Sequence, residues 1–129
     1  MDRNTWNKDG ELIPVPVAAG AEIFGGHIVG IDSDGFAVPA GKDVFQTLGI
    51  SDGWVDNSSG DDGDEVVLVR RKKVFCLANS VTSPVQQNDL GGKCYAQDSV
   101  TVSHENTGNA LAVAGVVLSL ENDNVWVEI

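Results

Sequence analysis

Apolar residues in this chain fall in short, Val-rich runs separated by clusters of Gly, Asp, Asn and Ser. After Gly20, "AEIFGGHIVGID" is apolar, rich in β-branched residues and broken by glycines. "DSDG" (32–35) is a turn signal and "FAVPA" a short strand after it. "DVFQTLGISDGWVD" gives one or two strands around Gly49, and "DNSSGDDGDE" (56–65) is a polar loop. A long run, Glu65–Asn79, follows, then "SPVQQNDLGGK", with room for one short helical turn at Gln86–Leu90. "CYAQDSVTVS" is extended, "HENTGNA" is a turn, and "LAVAGVVLSLENDNVWVEI" reads as two strands around Glu121–Asn124. No apolar periodicity of 3.6 residues is sustained anywhere. The pattern predicts an all-β domain, a small β-barrel or sandwich with at most one short helix. Its expected core includes Ile28, Val29, Val67, Val69, Phe75, Leu77, Val113, Val116, Val117 and Val125.

Residues 1–13 are polar and lack periodicity, and "PVPV" after them is extended or polyproline-like. This divides the chain into an extended N-terminal arm, 1–17, and a single β domain, 18–129. Such an arm buries too little apolar surface to offset its ordering entropy. The expectation is that it orders only on a neighbour, by adding a strand, with Trp6 as an apolar anchor and Pro14 and Pro16 restricting pairing to one edge.

With 129 residues, one domain and one core suffice. The formal charge of −11 opposes binding to nucleic acid or to an anionic membrane. No apolar run approaches the roughly 20 residues of a membrane span. "MDRNTWNKDGELIP" has no apolar signal-peptide region, so the chain is expected to be made in the cytoplasm, with Cys76 and Cys94 as buried free thiols.

Candidate chemistry is sparse. His27 and His104 have no motif partner, and no HExxH, GxSxG, CxxC or P-loop pattern occurs. The reading is no enzyme, no catalytic residues and no cofactor. Asp61, Asp62, Asp64 and Glu65 are hard oxygen ligands, but their spacing does not fit a calcium loop, so a solvated hairpin loop is expected and no metal.

The notable feature is "VRRKKV". Arg70, Arg71, Lys72 and Lys73 carry half of the eight Lys and Arg in a chain with nineteen Asp and Glu. Side chains alternate along a strand, so four consecutive charges cannot all avoid a core. The run therefore marks a bend, an overhang or a hairpin end. It is either a solvated edge that blocks strand-to-strand aggregation, or a basic contact for an acidic partner, which could be another copy of the chain.

Several stretches together, "LIPVPVAAGAEIFGGHIVGID", "DGFAVPA", "VLVRRKKVFCLANS", "DLGGKCYAQDSVTV" and "AGVVLSLENDNVWVEI", resemble the capsid cement (head decoration) proteins of tailed phages and prophages. The likeness runs from about Leu12 to Ile129. It departs at Lys73, where the family's pattern has glycine. The resemblance implies a non-enzymatic virion protein, commonly a homotrimer, bound to the major capsid protein on the outside of the mature head. Trp6, Pro14, Pro16 and Arg70–Lys73 are then the candidate capsid or subunit contacts. A second reading belongs to another class: a β-barrel module binding a small ligand or glycan, with Trp6, Trp54 and Trp126 as stacking platforms.

Overall fold

The computed structural model describes residues 1–6, 10–106 and 108–129. Its strands are β1 (Leu12–Pro16), β2 (Glu22–Ile23), β3 (Ile28–Ile31), β4 (Ala37–Pro39), β5 (Gln46–Ser51), β6 (Val55–Asp56), β7 (Val66–Arg70), β8 (Val74–Asn79), β9 (Lys93–Ala96), β10 (Thr101–Ser103), β11 (Val113–Glu121) and β12 (Asn124–Glu128). Gln87–Asp89 forms a single 3-10 turn, within the span where a helical turn was expected.

Two bodies of strand follow one another. The first is a five-stranded sheet in the order β1-β7-β5-β3-β4, flanked by the β2–β6 ribbon. It rolls up so that the end of β1 meets β4: Val17 makes a parallel bridge with Ala37, and the Ala18 amide donates to the Ala37 carbonyl at 3.0 Å. The second is a closed barrel, β10-β8-β12-β11-β9, in which only β10–β8 is parallel. The fold class is all-β, as the pattern predicts.

Alternation explains both cores. In "VVLVR" Val67 and Val69 are buried while Val66 and Leu68 face out; in "NVWVE" Val125 and Val127 are buried and Trp126 points outward, half-buried. The sheet core gathers Val15, Val17, Ile23, Val29, Val67 and Val69. The barrel core gathers Leu77, Val102, Val117, Val125 and Val127, and takes Ile28 and Ile50 from β3 and β5, which knits the two bodies together. Turn chemistry is local. Asp32 Oδ1 accepts from the amides of Asp34 and Phe36, each at 3.0 Å, with Gly35 left-handed, and this reverses the chain between β3 and β4. Asn122 and Asp123 both have positive φ, the requirement of the tight hairpin turn joining β11 to β12.

Several expectations need correction. Val113 and Val116 are exposed, not core. β11 changes register between Val113 and Gly115 against β9, and between Val117 and Ser119 against β12. These bulges turn Ala114 and Val117 inward and their valine neighbours outward. Gly115 is needed there, because a Cβ would collide with the Glu128 carbonyl. Phe75 is only partly buried, packed against the barrel core. Cys76 is exposed, although Cys94 is buried, and both are free.

The arm boundary moves as well. Leu12–Pro16 is a full strand paired antiparallel with β7, and Val15 and Val17 are buried in the sheet core. Residues 12–17 therefore belong to the domain and not to an arm. Residues 1–6 lie outside any strand, and residues 7–9 of the expected arm, like residue 107 of the expected turn 104–110, lie outside the described residues.

Candidate functional site: an exposed apolar face between charged ends

The basic run is a bend, one of the readings its alternation allowed. Arg70 ends β7, Val74 begins β8, and Lys72 between them has φ +62°. The left-handed residue is thus Lys72, one position before the site where the resemblance places glycine. The bend is clamped from both sides. The Arg71 amide donates to the Glu11 carbonyl at 2.8 Å and the Lys72 amide to the Ile129 carbonyl at 2.6 Å. The Ile129 amide returns a bond to the Lys73 carbonyl at 3.1 Å.

Two of the four cations have carboxylate partners among the described residues. Arg70 holds Asp52 through Nη2 at 2.8 Å and Nε at 3.1 Å, and Lys73 Nζ lies 3.6 Å from Glu11. Exposed pairs of this kind contribute about 0–1 kcal/mol each. Arg71 and Lys72 pair with no carboxylate among the described residues, and the buried Nε of Arg71 has no hydrogen-bond partner among them.

Beside this bend lies an uncovered apolar face. Cross-strand pairs Leu12–Arg70, Pro14–Leu68 and Pro16–Val66 set Leu12, Pro14 and Pro16 next to Val66 and Leu68, all exposed on the outer side of the sheet. Trp54, 63% exposed, stands at its side. With Asp52, Gly53, Val55, Val66 and Leu68 it lines an open cleft of about 210 Å³. The Trp54 indole is oriented by a 2.8 Å hydrogen bond from Nε1 to Glu22.

The prolines have a further effect. The Val17 amide donates to the Glu65 carbonyl at 2.9 Å, so amides at 17, 15 and 13 point toward β7. Those at 16 and 14 would point to the free edge, and there proline has no N–H to offer. Strand addition along β1 is therefore restricted: one edge is taken by β7, and the other has no donor at 14 and 16.

The opposite end of the face is acidic. A Cβ on Gly63 would lie 3.9 Å from Pro16, which puts the loop 56–65 beside that end. Its carboxylates serve the loop itself. Asp62 accepts from the Ala19 amide at 2.8 Å, Asp64 from the Asp61 amide at 2.8 Å, and Asp56 from the Ser58 amide at 2.9 Å. The Ser58 bonds hold the Asp56 carboxyl below its ordinary pKa. Asn57, buried, anchors the loop from beneath, its Nδ2 lying 3.2, 3.0 and 2.9 Å from the carbonyls of Val17, Ala18 and Asp61. Among the described residues no group of three or more His, Cys, Asp or Glu is placed to hold a metal ion.

The structure brings Pro14, Pro16 and Arg70 to one surface and leaves Trp6 apart, 91% exposed and outside any strand. The sequence reading missed Leu12, Val66 and Leu68. The signal was present: once Val67 and Val69 face the core, 66 and 68 must face out. A second exposed apolar group, sharing no residue with the first, surrounds an open hollow of about 320 Å³ lined by Phe45, Gln46, Thr47, Ala112 and Val113. The histidines serve local structure: His27 Nδ1 meets Ser99 Oγ at 2.8 Å across the two bodies, and His104 Nδ1 meets Asp89 at 3.0 Å. No described helix is long and apolar enough to cross a membrane. Compared with family models, curated proteins and solved structures, the chain has no significant match.

Proposed function

We propose that this chain is a non-enzymatic capsid cement protein, which binds the outer surface of a mature tailed-phage head as a homo-oligomer and stabilises it. The observation that carries the reading is two separate exposed apolar groups, one around Leu68 and Trp54 and one around Phe45 and Val113, on a chain of net charge −11. An acidic surface keeps such a protein soluble and off free DNA, whereas uncovered apolar faces mark contact with other proteins. The resemblance described above supplies the identity of the partner, the major capsid protein. The mechanism is linkage. A protein that binds the expanded shell and not the broken one stabilises it by RT ln(1 + [L]/Kd), roughly 3 kcal/mol per site at a hundredfold excess over Kd. Several simultaneous contacts add effective concentration.

Trp54 favours a second reading, a module for a small ligand or glycan, because its exposed indole lines a cleft. Co-sedimentation separates the two. The cement reading predicts saturable binding to mature, expanded heads and none to free oligosaccharide. Failure to bind heads of the phage that encodes the chain, together with quenching of Trp54 by a glycan, overturns it.

A further inference from the structure

Along β7 the chemistry runs in a fixed order. The loop before it carries Asp61, Asp62, Asp64 and Glu65; its outward positions are Val66 and Leu68; Arg70–Lys73 follow. Beside these lie Leu12, Pro14 and Pro16. The stripe is acidic at one end, apolar for roughly 13 Å in the middle at about 3.3 Å per residue, and basic at the other end. Turned over by 180° about an axis that lies parallel to the sheet and crosses β7 at the Pro14–Leu68 pair, it becomes its own complement. Acidic end then faces basic end, twice, and the apolar centres meet.

From this we infer that the outer face of β1 and β7 is a self-association surface, on which a second copy of this chain docks antiparallel about a two-fold axis near Leu68. Three observations favour this occupant. The charge order complements itself only in the reversed orientation, so the surface selects a copy of itself in one register. Lys72, exposed, pairs with no carboxylate among the described residues of its own chain, while Glu65 is exposed at the opposite end. Finally, prolines remove the outward donors at 14 and 16 from the free edge, which disfavours edge-to-edge growth and leaves face-to-face packing as the available mode. The symmetry is two-fold, which differs from the trimer that the family resemblance implies. The inference needs no capsid, so it stands or falls apart from the cement reading.

Sedimentation velocity of the full chain over a concentration series tests it. The expected result is a reversible monomer–dimer equilibrium. Leu68→Asp sets two carboxylates against each other at the axis and should weaken the dimer at least tenfold, about 1.4 kcal/mol. Its thermal melt should stay near the parent's, because Leu68 is already exposed. Glu65→Lys and Lys72→Glu should each weaken self-association, and mixing the two variants should restore it, since each then offers what the other lacks. With Cys76→Ser removing the exposed thiol, Leu68→Cys should form a symmetric disulfide between two chains. A monomer throughout, a trimer, a dimer indifferent to Leu68→Asp, or no restoration on mixing overturns the inference.

Discussion

In the rolled sheet, β7 buries Val67 and Val69 and leaves Val66 and Leu68 on the outside; in the barrel, β12 buries Val125 and Val127 and puts Asn124, Trp126 and Glu128 outside. The alternation is the same, but the surfaces differ. Outside β12 stand a half-buried tryptophan and polar residues, an ordinary solvated face. Outside β7 stand two exposed aliphatic residues, joined by Leu12 and two prolines and flanked by charges of opposite sign. The edges differ too. Every barrel strand has two neighbours, whereas among the described residues β1 pairs along its length with β7 alone, meets β4 only at its end through Val17, and lacks two donors on its open edge. Closure gives each barrel strand hydrogen-bonding neighbours on both sides. The outer face of β7 carries apolar surface that its own fold does not use, and β11 of the barrel does likewise with Val113, Val116 and Leu118, so the candidate contact surfaces lie on those two strands.

This contrast can be broken at several points. The largest effect should come from removing β1. Deleting residues 1–17 takes Val15 and Val17 from the sheet core and should abolish cooperative unfolding of that half by circular dichroism, whereas deleting residues 1–6 should leave the melt unchanged. Equal melts for the two deletions would show that β1 is dispensable. Next, Leu77→Ala in the barrel core should cost about 2–5 kcal/mol in urea unfolding. On the exposed outer face of β7, Leu68→Ala should stay within about 0.5 kcal/mol at concentrations where the chain is monomeric.

Asn57→Ala leaves the carbonyls of Val17, Ala18 and Asp61 without their shared donor and should cost about 1–3 kcal/mol. The effect should appear first as faster amide exchange in residues 57–64. A further effect concerns the pH dependence set by Cys94. Burial disfavours its thiolate and pushes the thiol from 9.0 up to about 11. Below pH 9 folded and unfolded chains both keep the proton. Between 9 and 11 the unfolded chain releases a proton that the folded chain holds, so stability falls as pH rises through that window. Cys94→Ala should remove this part of the alkaline loss, and an unchanged pH profile would place the thiol in contact with water.

Much of this was legible in the sequence, for reasons that particular residues make plain. The turns at Asp32–Gly35 and Glu121–Asn124 were readable because the residues there make their own local bonds or accept positive φ. The bend at Arg70–Lys73 was readable because four charges cannot share a core strand. Val113 and Val116 were not placed correctly, because bulges in β11 depend on pairing with β9 and β12 and leave no mark in a run of valines. Residues 12–17 looked like an arm because prolines suggest a chain without pairing. Only the pairing with β7 shows that Pro14 and Pro16 occupy the outward positions, where a missing N–H has no cost to the sheet. The apolar face followed the same logic: its residues lie far apart in sequence, and register alone brings Leu12, Pro14 and Pro16 beside Leu68 and Val66.

The central claim is that the exposed apolar groups are contact surfaces. Hydroxyl-radical footprinting measures it most directly, by the labelling rates of Trp54, Leu68, Phe45 and Val113 in the dilute chain, in the concentrated chain, and with mature tailed-phage heads of the kind the proposed function calls for, stripped of any decoration protein. The account predicts that Trp54 and Leu68 become protected as concentration rises, and that Phe45 and Val113 become protected when heads are added. Unchanged labelling of all four side chains in the presence of heads would contradict it.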